Sequence, residues 1–201
     1  MRAIIVSTAL IAAVLAPLPA AAQSFSPGYE FLKAVRDRDG DAVTDALSQP
    51  GTIIVNTRDI ASGESALHIV TQRRDAVWIR FLTAKGANPN IEDKNGTTPL
   101  QVAASLGFVE GIEALVKAGA RVDVTNSSGE TPLISAIHRR DPAMIRLLVK
   151  NGANPDRNDN SGRSARDYAQ LASGNTQLLE ALDSGQQGAD GASRSYGPEL
   201  R

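Results

Sequence analysis

The chain of 201 residues contains no cysteine, two histidines and 42% hydrophobic residues, with 21 Lys plus Arg against 22 Asp plus Glu. A formal charge of −1 gives no reason to expect a nucleic-acid binder or a polybasic membrane protein, and the apolar fraction is too high for a disordered chain. Without cysteine there is no disulfide framework, thiolate zinc site, iron–sulfur cluster or thiol nucleophile, so the fold must rest on packing.

Residues 1–22 carry the pattern of a secretory signal peptide. Arg2 precedes the stretch Ala3 to Ala16, apolar except for Ser7 and Thr8, and Pro17-Leu18-Pro19-Ala20-Ala21-Ala22 follows. The apolar run, about 14 residues, is shorter than the ~20 a membrane-crossing helix needs. Small residues at Ala20 and Ala22 suit a signal peptidase, so the mature chain is expected to start at Gln23 and to reside in the periplasm, without a membrane anchor. The short alanine-rich form points to bacterial export. The alternative, an uncleaved anchor, is opposed by the prolines, and no cysteine follows for lipidation. Residues 23–28 form a short lead.

From there the chain repeats itself. A shift of 33 aligns Gly63, Gly96, Gly129 and Gly162, and also Gly86, Gly119 and Gly152. Leu67, Leu100 and Leu133 fall in the same register, as do Ile79, Ile112 and Ile145, and Leu82, Leu115 and Leu148. Glycine and apolar columns recurring together indicate a solenoid, in which each unit needs neighbours to bury its apolar face.

Local signals predict two helices per unit. The first opens at Ser65, Thr98, Thr131 and Ser164, hydroxyl residues able to cap exposed amides, with Pro99 and Pro132 at the first helical position of two units. Leu100, Ala103 and Ala104, or Leu133, Ala136 and Ile137, then place apolar groups along one face. The second helix carries Ile112, Leu115 and Val116, or Ile145, Leu148 and Val149, and ends at Gly119 or Gly152 with Lys117 or Lys150 in its last turn. Between units lies a short polar segment such as residues 88–96, predicted to project as a hairpin.

Thr98-Pro99-Leu100-Gln101-Val102-Ala103-Ala104 with Gly119-Ala120 resembles the ankyrin repeat, whose signature is T-P-L-H-x-A over 33 residues. The resemblance covers Tyr29 to about Asp183 and implies an all-α solenoid of about five units, near 29–55, 56–92, 93–125, 126–158 and 159–183. The first unit lacks the signature and the last has Arg166 where the others have leucine, as suits terminal units that face water, while Ala66 replaces proline in the second unit without breaking the spacing. Residues 184–201, with four glycines and one aliphatic, Leu200, are expected to be a disordered tail; the alternative is a short binding segment around Tyr196.

Candidate chemistry is sparse. His68 is the signature histidine, and the resemblance gives it the task of bonding neighbouring loop backbone rather than catalysis. His138, at the exposed end of a first helix, has no second histidine or carboxylate at metal-ligand spacing and reads as a surface contact. The segment Asp37-Arg38-Asp39-Gly40-Asp41 imitates a calcium loop but has Ser48 where a bidentate glutamate is needed, and reads as a turn between helices. Asp156, Asn158, Asn160 and Asp167 imitate one more closely, yet Ser161 stands at the required glycine. No nucleophile elbow, Walker loop or H-E-x-x-H occurs, so no enzyme, metal or cofactor is expected. Trp78 is read as core, with an exposed anchor as the alternative.

The resemblance implies a non-enzymatic, monomeric module that holds a protein partner on its concave face; a second reading is an exported inhibitor or immunity factor that blocks an enzyme, and a third a small catalytic or ligand-binding protein. Reading down the units, the hairpin column gives Lys94 and its equivalents. The helix-end column gives Arg38, then Arg73, then Leu106, then His138 and Arg139. An arginine ladder about an apolar centre suits an acidic protein partner. The competing expectation is that these arginines pair with Glu64 and Glu130.

Overall fold

The computed structural model describes residues 26–49, 53–172 and 176–193. The expected signal peptide, the cleavage point and the segment around Tyr196 lie outside the described residues. The helices are α1 (Pro27–Asp37), α2 (Gly40–Leu47), α3 (Ala66–Gln72), α4 (Ala76–Ala84), α5 (Pro99–Leu106), α6 (Val109–Lys117), α7 (Pro132–His138), α8 (Pro142–Lys150), α9 (Ala165–Leu171) and α10 (Thr176–Ser193). They form five antiparallel pairs. Among the described residues there is no strand, only isolated antiparallel bridges between Arg58 and Ser65 and between Asn158 and Ser164.

Caps set the helix boundaries. The Thr98 hydroxyl accepts the Gln101 amide and the Thr131 hydroxyl that of Ile134, with Pro99 and Pro132 at the first position, where a missing N–H costs nothing. The second helices of units one, two and four start at Asp39, Asp75 and Asp141, whose carboxylates accept amides of the following turn. The second helices α4, α6 and α8 end in a left-handed glycine, as at Gly119 (φ 87°), which lets the Ala120 N–H reach back to the Leu115 carbonyl at 3.0 Å.

The first helices pack side by side in chain order, α1 on α3, α3 on α5, α5 on α7 and α7 on α9, while α4 lies on α6 and α10 on α8. This buries the repeated columns: Leu67, Leu100 and Leu133, the three isoleucines at 79, 112 and 145, and the three leucines at 82, 115 and 148 are all at most 1% exposed. Burying one such side chain contributes about 1.5–3 kcal/mol, so the period of the sequence is also the period of its stability.

The polar segments do form hairpins. Asp93 N–H bonds Thr97 carbonyl at 2.9 Å and Asp159 N–H bonds Arg163 carbonyl at 2.9 Å, with the aspartate side chain accepting two amides inside each turn. Successive tips touch through single backbone bonds, Lys94 N–H to Ser62, Ser127 N–H to Asn95 and Asn160 N–H to Ser128. The first hairpin is one residue longer from its aspartate to its glycine, Asp59 to Gly63 against Asp93 to Gly96, and the extra length throws Ile60 into solvent, 90% exposed.

Two departures appear at the C-terminal end. Arg166, in the leucine column, bonds Asp156 at 2.8 Å and Asp183 at 3.1 Å, tying the last hairpin to α10. Helix α10 continues to Ser193, so disorder from Ser184 onward, expected from the glycines, does not hold for residues 184–193. The buried Leu178, Ala181 and Leu182 anchor the helix, and extending an anchored helix adds a bond for each residue fixed without a new nucleation cost.

Candidate partner-binding surface

Links between units fix the position of the surface. His68 Nδ1 accepts the Ser65 N–H at 3.1 Å, which leaves the proton on Nε2 to be donated to the Thr97 carbonyl at 2.9 Å. Burial holds the imidazole below its ordinary pKa, so it is neutral and structural. Gln101 repeats the arrangement one unit on, accepting from Thr98 N–H at 2.8 Å and donating to the Glu130 carbonyl at 3.1 Å. In the same column Ile134 carries no such group and is fully buried.

At the opposite edge, Asn56 accepts from Asn88 N–H and donates to the Gly86 carbonyl, and Asn90 accepts from Arg121 N–H at 2.8 Å and donates to the Gly119 carbonyl at 3.0 Å. Asp123 continues the ladder by accepting from Asn154 N–H at 2.9 Å.

The expected arginine ladder does not form as read. Arg38 is the left-handed residue that ends α1 (φ 61°), which places it in the column of Arg74 and Arg140 rather than that of Arg73 and Arg139. The step from the first turn to the second is 36 residues, not 33, because the connection leading into the long first hairpin has extra length. Arg73 is not a free contact either: its side chain is only 13% exposed, its guanidinium donates to the Val35 carbonyl, sits 3.4 Å from Asp75 and stacks on Trp78 at 4.7 Å. Arg139 stays exposed and donates to the Ser105 carbonyl at 2.8 Å. Glu64 is bonded to Gln72 and Ser62, and Glu130 to Ser135, with His138 at 3.5 Å, so neither glutamate neutralises an arginine.

The other expected contacts lie in open positions. Lys94 is exposed at a hairpin tip, Leu106 is half-buried against the core at the end of α5, and His138 is exposed at the end of α7. Trp78 is neither core nor free anchor: it is half-buried between Arg73 and an edge-on Phe81 at 5.9 Å. The second calcium imitation is spent internally, since Asp156 bonds Arg166 and Asp167 caps Ser164 at 2.8 Å. Among the described residues no cluster of His, Asp and Glu has metal-site geometry.

Two residues of this surface go unread in the sequence alone. Tyr168 on α9 meets His138 edge-to-face at 4.8 Å, and its hydroxyl donates to Asp159 at 2.7 Å, holding the ring in place. That bond and the turn amides drive the Asp159 carboxyl far below its usual range. Leu171, at the end of α9, is 64% exposed. The 33-residue shift carries Gln72, Ser105 and His138 to Leu171, so the signal is present; treating the fifth unit as a cap hides it. Leu106, His138, Tyr168 and Leu171 thus lie along the successive first helices α5, α7 and α9.

Family models agree with this architecture: ankyrin repeats in three copies match residues 31–126, and ankyrin repeats in many copies match residues 115–169. The chain is 38% identical over 63 residues to the nuclear factor NF-kappa-B p110 subunit of Drosophila melanogaster, covering 31% of this chain and 6% of that protein. It is 30% identical over 76 residues to oxysterol-binding protein homolog 1 of Saccharomyces cerevisiae, covering 36% of this chain and 6% of that one. The similarity therefore extends over a small part of each relative's length. With the repeat spacing, the capped helix pairs and the stacked hairpins in place, the chain belongs to the ankyrin repeat family, whose domains are protein–protein interaction modules and generally not enzymes.

Proposed function

We propose that this chain is an exported docking scaffold that holds a protein partner on the concave row formed by its first helices and hairpin tips, most firmly at units three to five. The observation that supports this is the run Leu106, His138, Tyr168 and Leu171. It combines apolar and aromatic groups, two of them exposed, on a backbone fixed by inter-unit bonds. Aromatic and aliphatic anchors on a rigid frame give binding energy without an ordering cost. Export to the periplasm is supported by Arg2, the apolar run that follows and the small residues before Gln23.

The test captures partners from periplasmic extract with the wild-type chain and with Tyr168→Ala combined with Leu171→Asp. A protein retained by the wild type, lost by that variant and kept by the outward control Arg80→Gln with Arg146→Gln is the expected result. Equal capture by the concave variant defeats the assignment. N-terminal sequencing of the secreted-fraction protein is expected to start at Gln23; a retained Met1 in a membrane pellet defeats the export reading.

A further inference from the structure

Among the described residues, three non-glycine residues have positive φ: Arg38 (61°), Arg74 (59°) and Arg140 (53°). All three are arginines, and all occupy one column, the turn from first to second helix, where the third unit has Gly107 (φ 65°). The left-handed region is sterically disfavoured for residues with a Cβ; glycine is at home there, and asparagine, aspartate and histidine are the usual substitutes. Arginine gains there only the modest attraction of a cation to the helix C-terminus, which lysine supplies equally. Its repetition there, against backbone preference, points to a use for the side chains.

Two guanidiniums, one from this column and one from the position just before it, converge on Gly107. Arg74 reaches forward from unit two and donates to the Gly107 carbonyl at 3.0 Å, its guanidinium 5.8 Å from the Phe108 ring. Arg139 reaches back from unit four, donates to the Ser105 carbonyl, and lies against the bare Cα of Gly107 so closely that a Cβ there would stand 2.5 Å from its Nη2. Each guanidinium has five N–H groups and gives one to a carbonyl, so most of its donors remain available. No carboxylate among the described residues is within ion-pair distance of Arg38, Arg74, Arg139 or Arg140. The nearest aspartates along the chain, Asp39, Asp75 and Asp141, accept helix amides, and Asp75 also faces Arg73. On a chain of net charge −1 this edge is a strip of guanidiniums outside any ion pair among the described residues, with a capping aspartate next in the chain after Arg38, Arg74 and Arg140.

We propose that the strip binds an extended acidic segment of a partner protein, with one carboxylate seated over Gly107 between Arg74 and Arg139 and further ones reaching Arg140 and Arg38. The proposal rests on the reading of the chain as a protein-docking scaffold and adds the chemistry of the partner. With units ~8–10 Å apart, the step from Arg74 to Arg140 is about 20 Å, which about six extended residues span. Four arginines on one edge are few for a nucleic-acid duplex, which carries a charge about every 1.7 Å, and Asp41, Asp45, Glu110 and Glu113 stand exposed on the second helices. Single carboxylates at this spacing fit better. Bidentate guanidinium–carboxylate geometry explains arginine rather than lysine.

The experiment measures anisotropy of a fluorescein-labelled octaglutamate peptide with the full chain at low salt. Binding that weakens at least tenfold in Arg74→Gln/Arg139→Gln/Arg140→Gln, and is unchanged in the equally charged control Arg80→Gln/Arg146→Gln/Arg157→Gln, supports the strip, with far-UV circular dichroism confirming the fold. Should the triple variant unfold, Arg140→Gln alone, which removes no side-chain hydrogen bond among the described residues, is expected to weaken binding about threefold. Equal weakening in the control, or no binding to the wild type, overturns the proposal. Strip-dependent binding to phosphatidylglycerol vesicles with no binding to the peptide overturns it in favour of a membrane. A partner lost by the Tyr168 and Leu171 variant while octaglutamate is ignored removes the strip and leaves the concave docking row standing.

Discussion

His68 Nε2 lies 2.9 Å from the Thr97 carbonyl oxygen, so a ring buried in the second unit closes the hairpin of the third. Because burial holds its pKa below the ordinary 6.5, the unfolded chain takes up a proton more readily than the folded one. The stability this neutral ring contributes is therefore complete above pH 6.5 and is lost as the pH falls below it. Gln101 makes the same link with an amide that does not titrate. Urea denaturation is expected to show stability falling from pH 7 to pH 5 in the wild type, with a shallower fall in His68→Gln. Parallel profiles would show that the histidine is not the titrating group.

Asp59 acts lower on the pH scale. Amides of Ser62 and Ala61 and the Arg36 guanidinium at 2.8 Å hold its carboxyl at about 2, against 3.8 for the free group. Its contribution is present above pH 3.8 and is lost as the pH falls from there toward 2. Asn126 accepts the same kind of turn amides in the fourth unit, so Asp59→Asn keeps the turn and loses only the charge. At pH 7 that variant should cost under about 1 kcal/mol, the range of a partly exposed pair. It should also lose less stability than the wild type between pH 4 and pH 2, measured by chemical denaturation.

The fold was legible because its determinants are local or strictly repeated. Leu100, Ile112 and Leu115 recur at a fixed shift, and a repeat that is buried once is buried each time. The arginines were not, because their roles depend on what lies across a unit boundary. Arg73 reads as a surface cation until the Val35 carbonyl and the Trp78 ring are seen around it. Arg38 falls in the wrong column because one-dimensional counting does not register the longer connection between the first two turns. Tyr168 and Leu171 were within reach of the same counting. The charged Arg166 interrupts the leucine column at the start of α9 and so masks the continuation of the repeat to them.

Arg140 tests the cost of the cationic edge. Its φ of 53° is disfavoured by about 1–2 kcal/mol relative to the right-handed region, and its side chain makes no hydrogen bond or ion pair among the described residues. Arg140→Gly is expected to stabilise the chain by about 1 kcal/mol, part of the relieved strain being offset by the greater freedom of glycine in the unfolded state. Arg74→Gly should gain less, since it also loses the bond to the Gly107 carbonyl. A loss of stability in Arg140→Gly, read by urea denaturation, would show that the left-handed turn is not strained.

The last helix separates packing from mere helicity. Leu178, Ala181 and Leu182 are fully buried, and Asp183 holds Arg166; all four lie in the first eight residues of α10. Ending the chain after Asp183 keeps every one of them, and the thermal midpoint should stay within about 3 °C of the full chain. Ending it before Thr176 removes two leucines that contribute about 1.5–3 kcal/mol each. At roughly 2–4 °C per kcal/mol for a domain of this size, the midpoint should then fall by at least about 6 °C. Thermal unfolding followed at 222 nm compares the two. A large drop on cutting after Asp183 would mean that the later turns of α10 pack against the fifth unit and belong to its cap.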